Sequence, residues 1–290
     1  MATYLDRLGA RTAVVRTVLC VGIDPDPAAL PPGFPRTVQG IERFAALVIE
    51  AAGPYAAAIK PNLAFFEAWG ARGVAALERI RARIPAEIPV VADAKRGDIG
   101  STASRQAVAL FDVLGADAVT VSPYLGEEAI APLVERADRF AYVLCRTSNP
   151  GAAELQGLHV AAEGDAPEEP LWSRVARRAT RWGPGGTVGL VVGATAPTEL
   201  AAVRSVAPDL ALLVPGVGAQ GGDVEPVLRH GPVTAGPAHG RPGGGLLVNV
   251  SRGIAAAAAE QGAASRSAAD PGERLAEAAR GWAERLAVLP

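Results

Sequence analysis

Eight short runs of apolar, largely β-branched residues, each followed by a longer amphipathic stretch, constrain this chain more than any other feature. The strand-like runs are Val18–Asp24, Ala57–Pro61, Ile88–Ala94, Ala118–Ser122, Phe140–Arg146, Thr187–Gly193, Leu210–Pro215 and Gly245–Val250. Helical patterning follows at Ile41–Gly53, Leu63–Ile84, Thr102–Leu114, Glu127–Ala137, Leu171–Trp182, Ala196–Val206 and Val224–Arg229. A last helix, Pro271–Ala287, closes the chain behind Asp270, which suits an N-cap. Near-continuous apolar strands alternating with helices indicate a parallel sheet covered by helices. Eight such units favour an α/β fold of the closed (β/α)8, or TIM, barrel type over an open doubly wound sheet.

The 290 residues then read as one barrel domain, 1–290, since such barrels use about 250 residues. Two stretches depart from the pattern. Asn149–Pro170 is long, with glycine, proline and the acidic cluster Glu163, Asp165, Glu168 and Glu169. It follows a strand directly, which puts it on the active-site face of a barrel, where it is able to act as a lid. Gly231–Gly245 precedes a strand and belongs to the opposite face. A formal charge of only −2 gives no electrostatic reason to expect nucleic acid or an anionic membrane as partner. No apolar run approaches the roughly 20 residues that span a bilayer. The N-terminus, with Asp6, Arg7, Arg11 and Arg16 spread through it, lacks the apolar core of a signal peptide. Cys20 and Cys145 each sit inside an apolar run and read as buried free thiols of a cytoplasmic protein, not a disulfide or a metal site.

Of 28 basic residues only two, Lys60 and Lys95, are lysines. Compositional bias explains why lysine is scarce but not where the two survivors fall. Arginine cannot give up a proton at neutral pH, so a retained lysine suggests a need for a primary amine. Both stand at strand ends. The second strand ends Lys60-Pro61-Asn62, and the third runs into Asp93-Ala94-Lys95-Arg96-Gly97-Asp98. Residues two apart share a strand face, so Asp93 and Lys95 both point into the barrel mouth. Adjacent strands lie about 4.8 Å apart, which brings Lys60 within reach of Asp93. The expected array is Lys60, Asp93 and Lys95, with Asp98 nearby. A salt-bridge network tying strand ends together competes with this reading, although buried ion pairs add little to stability over apolar residues. Flanking carboxylates keep amines protonated, which argues against a Schiff-base nucleophile and for a proton donor or charge clamp.

Glycine-rich turns follow the last two strands, at Pro215–Asp223 and at Asn249-Val250-Ser251-Arg252-Gly253. Loops in these positions of a barrel frequently bind phosphate through backbone N–H groups, and Arg252 offers a bidentate contact. The row Arg146-Thr147-Ser148-Asn149-Pro150-Gly151 ends the fifth strand with hydrogen-bonding side chains suited to a polar ring edge, or with a plain Asn-Pro-Gly turn.

With its D-x-K-x-x-D spacing, Asp93–Ile99 resembles the signature of the orotidine 5′-phosphate decarboxylase family, and Lys60, Gly22-Ile23-Asp24, Pro215–Gly222 and Arg252 follow in matching order. The resemblance runs from about Val18 to Gly253. Thr147–Gly151 and Lys60–Glu67 are similar to the longer-chain bacterial subgroup. The spacing is shared with sugar-phosphate decarboxylases of the same superfamily, while Lys60, Ser148 and the Gln220/Arg252 pair point to a pyrimidine nucleotide. The resemblance implies cofactor-independent decarboxylation of orotidine 5′-phosphate in pyrimidine biosynthesis, with no metal. It implies Lys95 as proton donor to C6, Asp93 against the substrate carboxylate, and Lys60 and Asp98 completing the charged array. Asp24 and Lys60 are implied to hold ribose hydroxyls, Ser148 the pyrimidine edge, and Gln220 with Arg252 the phosphate, beside Gly218, Gly221 and Gly253 of the glycine-rich turns. It further implies a homodimer in which Asp98 and Thr102 reach the neighbouring site. A class I aldolase, a magnesium-dependent sugar-phosphate enzyme and a non-catalytic phosphate-binding barrel are the competing readings.

Overall fold

A computed structural model of the chain describes residues 2–218, 221–259 and 270–288. Its core is a ring of parallel strands: β1 (Leu19–Ile23), β2 (Ala58–Pro61), β3 (Val91–Arg96), β4 (Ala118–Val121), β5 (Phe140–Arg146), β6 (Val188–Val192), β7 (Ala211–Pro215) and β8 (Leu247–Val250). The strands run in the order β2-β1-β8-β7-β6-β5-β4-β3. Bridges Ile59–Val90 and Asn62–Asp93 join the two ends. There the Ile59 N–H donates to the Pro89 carbonyl at 3.0 Å and the Leu63 N–H to that of Asp93 at 3.2 Å. The ring is therefore closed, and the fold is the expected (β/α)8 TIM barrel.

Alternation along each strand separates two cores. Leu19, Val21 and Ile23 face outward and join the layer between sheet and helices. Cys20, Ala58, Val91, Ala118, Tyr142 and Leu213 face inward and fill the lower barrel. Burial pushes the thiols of Cys20 and Cys145 up to about 12, so both are inert.

The lower mouth is plugged by a helix absent from the sequence expectation, Tyr4–Val15. Thr3 and Asp6 form a reciprocal capping box at its start. Its Tyr4, Leu5 and Leu8 are buried in the inner core, where the Tyr4 ring stacks on Phe140 with centroids 4.8 Å apart. The same T-x-x-D spacing was the available signal. Gly231–Gly245 does lie at this lower end, with Val233 and Ala238 packed into the same core.

Other boundaries shift for local reasons. The expected helix Leu63–Ile84 is divided into Ala64–Glu67 and Ala71–Arg83, because Gly70 between them takes φ +60°. Glu127–Ala137 contracts to Ala131–Val134, and the segment expected at Thr102–Leu114 starts at Gly100 and turns π-helical over Val108–Val113. The last helix spans Pro271–Arg285, with Asp270 at the N-cap position but its carboxylate not bonded to the helix. No helix among the described residues is long and apolar enough to cross a membrane.

The excursion Asn149–Pro170 folds back as a short ribbon, His159–Val160 against Glu169–Pro170. Buried Glu169 anchors it, accepting from Ser173 at 2.6 Å, Arg174 at 2.8 Å and Arg177 at 2.9 Å. The Arg177 hydrogen bond leads in holding this carboxyl down at about 2.

Candidate active site

The polar rim is built from the C-terminal ends of inward-facing strand positions. Lys60 on β2 pairs in register with Gly22 on β1, and its side chain is buried. Its Nζ lies 2.5 Å from Asp93 Oδ2, and the Lys95 Nζ lies 2.5 Å from Asp93 Oδ1. Burial by itself lowers the Lys60 pKa, but the carboxylates of Asp93 and Asp24 outweigh it and the net shift is upward. Asp93 is also opposed by burial, yet Lys60 and then Lys95 hold it well below the usual carboxylate range. Lys60 is thus an ammonium against the Asp93 carboxylate at neutral pH.

The segment carrying it is not a regular strand. Between Ala92 and Arg96 the pairing of β3 with β4 breaks register, and Lys95 has φ +48°. A non-glycine residue there costs roughly 1–2 kcal/mol. The Thr120 hydroxyl of β4 accepts the N–H groups of Ala94 and Lys95, each at 3.0 Å, and donates to Asp93 Oδ1 at 3.0 Å.

A cavity of about 170 Å³ opens beside the array, lined by Asp24, Lys60, Asp93, Asn249 and Arg252 together with the turn Pro215–Val217. Two oxygens in it, Asp24 Oδ1 and Asn249 Oδ1, are buried without a hydrogen-bond donor among the described residues. Buried acceptors of this kind call for a donor, which a ligand or a water in the cavity supplies. The close approach requires Gly22, because a Cβ there would lie 1.8 Å from Ser251 Oγ. Arg252 is exposed at the rim. Gly218 and Gly221 take φ +81° and +82°, and Trp282 packs its ring under Gly218 while donating its indole N–H to the Gly253 carbonyl at 3.3 Å. One aromatic ring from the last helix therefore supports both glycine-rich turns. Gln220 lies outside the described residues.

Ser148 stands at the end of β5 against Gly193. Its neighbour Thr147 is gripped twice by Gln156 of the excursion: the Thr147 N–H donates to Oε1 at 2.9 Å, and Nε2 donates to the Thr147 hydroxyl at 2.8 Å. Asp98 forms no ion pair with either lysine, both of which pair with Asp93. It makes no ion pair among the described residues and accepts from the Ile99 N–H at 2.8 Å, while Thr102 is exposed in the following helix. Exposed Ile99, Tyr124 and Leu125 lie on the same loops after β3 and β4. Among the described residues no three His, Cys, Asp or Glu side chains cluster to hold a metal ion. Thr120, Asn249 and Trp282 are the site-building residues that sequence reasoning left unassigned. Only Asn249 and Thr120 carried a signal, as polar side chains on inward positions of otherwise apolar strands.

A closed barrel with a charged array at its C-terminal rim, beside glycine-rich turns after the last two strands, defines the class of (β/α)8 barrel enzymes. A family model described as orotidine 5′-phosphate decarboxylase / HUMPS matches residues 17–267, and the chain belongs to that family. A relative from Thermomicrobium roseum named orotidine 5′-phosphate decarboxylase is 46% identical over 98% of this chain and 93% of its own. The solved OMP decarboxylase of Leishmania donovani is 40% identical with a TM-score of 0.78, covering 98% of this chain and 97% of that one. The UMP synthase of the same organism is 42% identical with a TM-score of 0.80, and matches 99% of this chain but only 56% of that one.

Proposed function

We propose that this chain decarboxylates orotidine 5′-phosphate to uridine 5′-phosphate, in pyrimidine biosynthesis and without a cofactor, with Lys95 as the proton donor. The observation that carries the reading is the Lys60–Asp93–Lys95 array, whose two ammonium groups share one depressed carboxylate. When the bond from C6 to the carboxylate breaks, carbon dioxide leaves and the electron pair stays on C6, in the ring plane with no conjugated sink. A fixed ammonium stabilises that charge as it develops and then transfers its proton to C6, which is preorganised electrostatic catalysis. Asp93 faces the departing carboxylate and fixes the Lys95 Nζ. Lys60 neutralises Asp93 from the other side and, with Asp24, binds ribose hydroxyls. Asp24 Oδ1 and Asn249 Oδ1, unpaired among the described residues, supply acceptors for such hydroxyls. Ser148 reads the pyrimidine edge, Arg252 holds the phosphate beside Gly218, Gly221 and Gly253, and the resemblance adds Gln220.

Asp98 and Thr102 complete the site of a second copy in a homodimer. The lack of an Asp98 ion pair among the described residues and the exposed Ile99, Tyr124 and Leu125 on the loops after β3 and β4 support this assignment.

The test is a continuous assay of orotidine 5′-phosphate absorbance with purified protein, with and without a metal chelator. Undiminished turnover under chelation is expected. No turnover, or turnover abolished by the chelator, overturns the reading, the latter in favour of a magnesium-dependent sugar-phosphate enzyme. For the proton donor, Lys95→Arg keeps the charge but not an acidic amine, and should fall below a tenth of wild-type turnover.

A further inference from the structure

We infer that Thr120 is the positioning residue that aims the Lys95 ammonium, acting through the backbone of β3 and the Asp93 carboxylate. This rests on the decarboxylase reading of the site.

The strand pairing shows why such a residue is needed. Val91 pairs with Ala118 and Ala92 with Val119, and the pairing resumes only at Arg96 with Val121. Three residues of β3, Asp93 to Lys95, therefore face the single position Thr120. The N–H groups of Ala94 and Lys95 fall where the β3–β4 pairing is interrupted, and an N–H left unpaired away from water is costly. The Thr120 side chain takes the place of the missing ladder. A hydroxyl has two acceptor sites and one proton to give. Both acceptor sites are filled, by the N–H groups of Ala94 and Lys95, so the proton goes to Asp93 Oδ1. No bonding capacity is left over, and the residue is buried at 2% exposure.

The consequence falls on Lys95. Holding its N–H and that of Ala94 on one oxygen fixes the left-handed turn at Lys95, φ +48°, which folds the side chain back so that Nζ meets Asp93 Oδ1. The same hydroxyl bonds that same Oδ1, while Lys60 holds Oδ2. Asp93 is pinned at both oxygens and cannot rotate away. A β-branched side chain in a strand adds rotameric stiffness to the clamp. Thr120 does not line the cavity beside the array. It sets where the proton donor stands.

The experiment compares full-length wild type, Thr120→Ser and Thr120→Val for kcat and KM on orotidine 5′-phosphate, alongside thermal midpoints. Valine keeps the shape and loses the hydroxyl; serine keeps the hydroxyl. Thr120→Val should lower kcat about a hundredfold, the scale of a misplaced catalytic group, with KM within about threefold. Thr120→Ser should stay within about fivefold of wild type. If valine does not fold, Thr120→Ala makes the same comparison. A kcat for Thr120→Val within about threefold of wild type overturns the inference. So does a loss carried in KM, or serine as impaired as valine. Failure of both Val and Ala variants to fold makes the residue purely structural, which also overturns it. An inactive wild type would instead sink the decarboxylase reading.

Discussion

Lys60 and Asp93 offer the sharpest separation of a site kept for chemistry from one kept for stability. Their side chains are 5% and 11% exposed, and Nζ lies 2.5 Å from Oδ2. At an effective dielectric of about 20 this separation gives roughly 7 kcal/mol of attraction. Removing two ions from water costs several kcal/mol each, so the net value of the pair is near zero. Each partner alone is another matter. Lys60→Met leaves a buried carboxylate whose remaining cation, Lys95, is 52% exposed, and Asp93→Asn leaves a buried ammonium beside Asp24. Each single change should cost about 3–5 kcal/mol of unfolding free energy. The double variant Lys60→Met/Asp93→Asn should instead come within about 2 kcal/mol of wild type, a coupling of at least about 4 kcal/mol. Equilibrium urea unfolding of the four proteins measures this, and the absorbance assay on the same samples should find the double variant dead. Additive stability losses would show that the pair is not energetically coupled. A stable double variant retaining a hundredth of wild-type turnover would refute the chemical role of the array.

Arg252→Ala should raise KM strongly and lower kcat/KM, because phosphate is held in ground and transition states alike; an equal loss on the phosphate-free nucleoside would remove Arg252 from that role. Mixing inactive Asp98→Ala and Lys95→Ala chains should restore activity towards a quarter of wild type, since half of randomly reassorted dimers are mixed and each holds one intact site. No recovery in verified mixed dimers would refute the shared site. Glu169, with its carboxyl at about 2 against an ordinary 4.5, adds stability above pH 4.5 that is lost as pH falls towards about 2. Glu169→Gln should therefore lower the thermal midpoint at pH 7 by several degrees, for a loss of about 3 kcal/mol, and the gap to wild type should close over that acid window. A gap independent of pH would rule out the ion-pair origin.

Sequence alone determined the barrel and the identity of its charged residues. Both are written locally: eight apolar runs separated by amphipathic stretches specify alternating strands and helices, and two lysines in an arginine-rich chain stand at strand ends. Tertiary structure decided how those residues meet. Closure of β2 onto β3 brings Lys60 to Asp93, 33 positions apart, and the bulge opposite Thr120 turns Lys95 back onto the same carboxylate. Two-residue alternation would put Asp93 and Lys95 on one face of a regular strand, but it carries no information about a left-handed residue or the hydroxyl 25 positions away that stabilises it. The capping box at Thr3 was legible, whereas its use to plug the barrel depends on Tyr4 finding Phe140 and Tyr142. Trp282 beneath Gly218 and Gly253 follows the same rule. Periodicity reports which face of an element is buried; which distant side chain meets it depends on strand register, barrel closure and packing, and these exist only once the whole ring has formed.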